Sequence, residues 1–63
     1  MIKKGKQFIC IQGNTFFEKG HIYEIVYIDN EKPIIEVHLK SDNKNLVIDI
    51  ETFRKKFEFY DKK

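Results

Sequence analysis

A chain of 63 residues with a formal net charge of +2 leaves room for one domain, residues 1–63, around a single small core. A chain this short buries only about 60% of the surface its unfolded form exposes. Little stability is left for a deep, strained active site, so the expectation is a non-enzymatic domain with no catalytic residue, cofactor or metal.

The charge is unevenly spread. Residues 1–6 carry +3, residues 7–53 carry −4 and residues 54–63 carry +3. If the fold brings the two ends together, Lys3, Lys4, Lys6, Arg54, Lys55 and Lys56 form one basic patch. The composition is also skewed, with ten isoleucines and eleven lysines against one arginine and no alanine. These are residues of A/T-rich codons, which suggests a low-GC bacterium or its phages and makes the lysine count a weak sign of nucleic-acid binding.

A single cysteine, Cys10, excludes an internal disulfide. It lies between Ile9 and Ile11 and reads as a buried small hydrophobe, which points to a reducing, cytoplasmic setting. The longest apolar runs, Phe8 to Ile11 and Ile25-Val26-Tyr27-Ile28, are four residues each, far below the roughly 20 residues of a membrane helix. The basic start, Met1 to Lys6, is not followed by an apolar stretch, so no secretory signal is expected.

Period-2 patterning dominates the chain. Gln7–Ile11 is the first predicted strand, broken by Gln12-Gly13-Asn14-Thr15. Ile22–Ile28, rich in β-branched and aromatic residues, is the second. Asp29 to Pro33 is a polar turn. Ile34–Lys40 alternates cleanly, with Ile35, Val37 and Leu39 on one face. Ser41 to Asn45 is a predicted five-residue turn leading to a fourth strand, Leu46–Ile50. Glu51–Lys55 fits one helical or 3₁₀ turn, acidic at its start and basic at its end. Lys56–Tyr60 is a last short strand, and 61–63 a frayed end. The predicted core is Ile9 or Phe8, with Tyr23, Ile25, Val37, Leu39, Val47, Phe53 and Phe57. Five short strands in this length predict an all-β small barrel, since closure removes exposed edges.

Several segments, in order, resemble the small SH3-like barrel proteins of bacterial and phage type. They are Lys4-Gly5-Lys6 with Phe8 to Ile11, Phe17-Glu18-Lys19-Gly20, Tyr23-Glu24-Ile25-Val26, Val47-Ile48-Asp49 and Phe53 to Glu58. The resemblance covers about nine tenths of the chain. It implies a five-stranded SH3-like barrel with a short helical turn before the last strand and with the first and last strands paired. It carries over no catalytic residue.

No motif for chemistry stands out. His21 and His38 lie in separate segments, and Cys10 has no partner motif for a metal. The three glycines fall at turns, without a phosphate loop. Three binding roles remain. The first is a protein-binding module, an accessory protein that binds and modulates a partner through exposed aromatics or an open strand edge. Phe16 and Phe17 are adjacent, so in extended chain one faces outward, and Tyr27 and Tyr60 are further candidates. The second is nucleic-acid binding, with the six basic residues on phosphates and Phe16, Phe17 or Tyr60 stacking on bases. The third is a homo-oligomer held by an apolar strip of Ile34, Ile48 and Ile50.

Overall fold

The computed structural model describes residues 2–42 and 44–61. Five strands, β1 (Gln7–Cys10), β2 (Ile22–Asp29), β3 (Glu36–Ser41), β4 (Lys44–Asp49) and β5 (Phe57–Phe59), surround one helix, α1 (Ile50–Lys56). They form one antiparallel sheet in the order β4-β3-β2-β1-β5. The sheet is not closed, because β4 and β5 are its two edges and do not pair with each other. The expected barrel closure is therefore absent. The link between the edges is α1, which follows β4 without a loop, packs against β3 and β4, and runs straight into β5.

Alternation decides which residues enter the core. Phe8 and Cys10 on β1, Tyr23 and Ile25 on β2, and Val37 and Leu39 on β3 all point inward, joined by Phe17, Phe53 and Phe57. Fully burying side chains of this size contributes about 1.5–3 kcal/mol each. The rings interlock: Phe53 lies 4.7 Å from Phe8, edge on, and 5.2 Å from Phe57, stacked. Tyr23 meets Phe57 edge on at 5.6 Å. These geometries suit the ring quadrupoles and bind α1 and β5 to the sheet.

Two features reset the inward phase. The register between β2 and β3 shifts between Ile25 and Tyr27. Val26 is the extra residue of this bulge, which turns Tyr27 outward and Ile28 inward. Such a bulge also bends its strand and increases the local twist. On β4 the pairing is Val37↔Ile48, His38↔Val47 and Leu39↔Leu46. Leu46 and Ile48 therefore share the core face, and Val47, expected inside, is 51% exposed. The same phase removes the expected outer strip, since Ile48 and Ile50 pack against the core and leave Ile34 by itself. Ile35, expected to line up with Val37 and Leu39, lies ahead of β3 and stays at the surface.

The β3–β4 ladder runs out to Ser41 opposite Lys44. Only positions 42 and 43 separate the strands, fewer than the five expected. Asn43 lies outside the described residues, as do Met1 and the expected frayed end at Lys62 and Lys63.

The helix is short but well capped. The side chain of Asp49 accepts from the Thr52 backbone N–H at 3.0 Å and from the Thr52 hydroxyl at 2.7 Å. Glu51 in the first turn and Arg54, Lys55 and Lys56 in the last complement the helix dipole.

Candidate binding surface

The connection from β1 to β2, residues 11–21, holds the most exposed large apolar side chain. Asn14 organises it: its side-chain oxygen accepts from the backbone N–H groups of Phe16 at 2.7 Å and Phe17 at 3.1 Å, and its own N–H donates to Phe17 O at 2.8 Å. This Asx turn follows from the residue type, because the short amide side chain reaches back to its own backbone. The two phenylalanines then part. Phe17 is 2% exposed and packs on Phe57 at 5.2 Å, whereas Phe16 is 70% exposed. Phe17 is thus a core anchor with no face for a partner, and Phe16 is the outward ring of the pair.

The loop is held at both ends. Gly20 N–H donates to Cys10 O at 2.8 Å, and Cys10 N–H donates to His21 O at 2.9 Å. Gly20 has φ +91°, a left-handed conformation that glycine adopts without strain. At Gly13 an added Cβ would lie 2.8 Å from Lys19 N and 3.0 Å from Phe17 O, so the loop closes on itself there. The Lys44 ammonium, at the start of β4, donates to the carbonyl of Phe16 and ties the loop to the β3–β4 hairpin.

Beside this loop lies a shallow, open concavity of about 700 Å³ lined by Glu18, His21, Asp42, Lys44 and Tyr60 among others. His21 Nε2 stands 3.3 Å from Glu18 Oε2, both well exposed. Tyr23 lines the floor. Burial first, and then the neighbouring Cys10, raise its phenol above the usual tyrosine value. The concavity mixes one ammonium with two carboxylates, a histidine and two phenols, which suits polar contacts around an apolar anchor.

The basic residues are arranged differently from one patch. The first and last strands do pair, with Phe8 opposite Phe59 and Cys10 opposite Phe57. In this antiparallel register, Tyr60 N–H donates to Gln7 O at one end of β1. At the other end Ile11 N–H donates to Lys56 O. Lys3, Lys4 and Lys6 therefore precede the Gln7 end of β1, where Gly5 and Lys6 bond to Ile25. Arg54, Lys55 and Lys56 form the last turn of α1, which delivers the chain to the Ile11 end. From Lys6 to Ile11 is five residues of extended chain, about 17 Å. Along β1 the cations make two groups, and Tyr60 stands with the first.

The register also makes a cluster that sequence spacing does not reveal. Asp29 lies opposite Glu36, and Tyr27 lies opposite His38. Possible ligand atoms of Asp29, Glu36 and His38 fall within 4.8 Å of one another. The Lys32 ammonium already sits on the carboxylates, 2.9 Å from Glu36 and 3.8 Å from Asp29. Its hydrogen bond to Glu36, followed by the charges of Glu36 and Asp29, raises the lysine pKa. Asp29 and Glu36 thus belong to a salt-bridge cluster with Lys32, and His38 packs edge on against Tyr27. Cys10 is buried on the opposite face of the sheet from this histidine.

No helix among the described residues is long and apolar enough to cross a membrane. Comparison of the chain with family models, with curated proteins and with solved structures gave no match.

Proposed function

We propose that this chain is a non-enzymatic protein-binding module built on an SH3-like small barrel framework, and that Phe16 is its anchor. One observation carries the reading: a largely exposed aromatic ring, Phe16, on a loop that is already organised. Asn14 fixes the backbone on either side of Phe16, Phe17 pins the next residue in the core, and Lys44 holds the carbonyl. Aromatic residues buried in a partner's pocket dominate interface energetics, and pre-ordering the loop removes part of the entropy cost of binding. The Glu18–His21 pair, Asp42, Lys44 and Tyr60 would form the polar surround.

The strand order β4-β3-β2-β1-β5, with α1 bridging from β4 to β5, supports the SH3-like framework. The buried single thiol supports a cytoplasmic role, and the A/T-rich composition a phage or bacterial accessory protein that modulates its partner. Nucleic-acid binding is the second reading. It is weakened by the split of the cations along β1 and by the carboxylates on β2, β3 and β4.

The test is affinity capture from the source cell with the native protein and with Phe16→Ala, followed by titration of the captured protein. A partner that the native chain holds and Phe16→Ala loses supports the proposal. A partner held equally by both removes Phe16 from the site.

A further inference from the structure

β4 is an edge strand. One side pairs with β3 over six consecutive positions without a bulge, and among the described residues no backbone hydrogen bond reaches its other side. Proline, bulges, very short length and charged side chains are the usual protections of such an edge; Lys44–Asp49 has no proline or bulge, and its charges stand only at its two ends, Lys44 and Asp49. Its unpaired N–H and C=O groups are a template for another strand.

The outer face shows which strand fits. Register places three rows across β2, β3 and β4. The first is Glu24–Lys40–Asn45, the second Tyr27–His38–Val47 and the third Asp29–Glu36–Asp49. The middle row offers exposed apolar surface at Tyr27 and Val47, 52% and 51% exposed. One flanking row carries Lys40 beside the edge; the other is wholly acidic. A partner strand must therefore present an apolar residue at the centre, an acid beside Asn45 and a base beside the Asp49 end. β4 itself, turned antiparallel, supplies the apolar centre and the acid, and Lys40 on the adjoining β3 supplies the base.

We propose that β4 pairs with β4 of a second copy about a twofold axis through Val47, joining two five-stranded sheets into one. Directly opposite residues in an antiparallel pair share a face, so the axis must pass through a residue and not between two. Through Val47, Val47 meets its own counterpart, Asn45 meets Asp49 and Leu46 meets Ile48. Lys40 of each copy then stands two strand spacings, about 10 Å, from Asp49 of the other. Their side chains together span that distance. An axis through Leu46 would set Val47 against Asn45 and lose both matches. The contact is small, below the roughly 1,200 Å² of weak complexes, so weak association is expected. The proposal does not depend on Phe16, which lies in the β1–β2 loop.

Sedimentation equilibrium from about 10 μM to about 1 mM tests it, at low and high salt. The expected result is a monomer–dimer equilibrium, weakened by salt and weakened at least about tenfold by Val47→Lys, whose ammonium groups would face each other at the axis. Lys40→Glu should weaken it as well. Under mild oxidation Val47→Cys should cross-link to its counterpart, because two residues opposite on an axis fall within disulfide range. Asn45→Cys should not cross-link to itself. Monomer mass throughout at low salt would overturn the proposal. So would self-association indifferent to Val47→Lys, or equal cross-linking at both positions.

Discussion

Phe53 on α1 and Phe57 on β5 stack with ring centres 5.2 Å apart and planes 19° from parallel, so one side-chain pair holds the helix to the strand it leads into. They are four positions apart, and Phe57 N–H closes the helix on Phe53 O. The passage from one sheet edge to the other is thereby made without a loop. The N-terminal end of the same helix rests on Asp49 and Thr52. Asp49→Ala is expected to cost about 1 kcal/mol, the usual worth of an N-cap. In a domain this size that lowers Tm by roughly 4–8 °C, measurable by thermal circular dichroism.

Asp49 also sets an acid limb. Its carboxyl is held below the usual aspartate value, first by the Thr52 backbone N–H and then by the Thr52 hydroxyl. A group with a depressed folded pKa stabilises above its unfolded value, about 3.9. That contribution is lost as pH falls through the lower folded value. Asp49→Asn keeps a capping oxygen without a titrating proton, so its Tm should fall less steeply than the native protein's below about pH 4. Tyr23 acts at the other end of the scale. Its raised pKa means that stability present below about pH 10 is lost as pH rises through the folded value.

Tyr23→Ala should cost about 3–5 kcal/mol, as large core deletions do, because its ring is buried against Phe57. Val47→Ala should stay within about 0.5 kcal/mol, as substitutions at exposed positions do. Urea titrations of the two variants measure both. A costly Val47→Ala with a tolerated Tyr23→Ala would reverse the faces assigned to β2 and β4.

That pair of residues marks how far the sequence could be read. Strands with alternating polar and apolar residues, such as Glu36-Val37-His38-Leu39, state their own phase. Leu46-Val47-Ile48 is apolar throughout, so its phase comes only from pairing with β3. Tyr27 likewise continues the inward period of Tyr23 and Ile25 until the bulge at Val26 turns it outward, and nothing in the side chains announces that bulge. At the candidate site, the adjacency of Phe16 and Phe17 required one ring to face out and the Asn14 turn is local, but the Lys44 tie and the Phe17–Phe57 packing that choose Phe16 are tertiary. Pairing of the chain ends was legible as well. The antiparallel register, which spreads the cations along β1, was not.

Gly13→Ala should destabilise the protein by about 1–3 kcal/mol, the usual cost of forcing atoms into filled space, since backbone atoms of Phe17 and Lys19 occupy the volume of the new methyl group. The same substitution at Gly20 meets no neighbour within 4 Å but has φ +91°, which costs about 1–2 kcal/mol for a residue with a Cβ. Hydrogen exchange should show both effects first in residues 11–21, ahead of β3.

The most direct measurement is calorimetric titration of the captured protein partner against the native chain, Phe16→Ala and Lys55→Ala, with each variant's melting temperature checked first. Phe16 makes no core contact, so Phe16→Ala should melt as the native protein does while losing at least about 2 kcal/mol of binding, roughly thirtyfold in affinity, as interface anchors do. Lys55→Ala should bind within about threefold of native, as exposed rim charges do. The reverse pattern, with Phe16→Ala binding normally and Lys55→Ala losing most of its affinity at moderate salt, would contradict the account and move the site to the basic turn of α1.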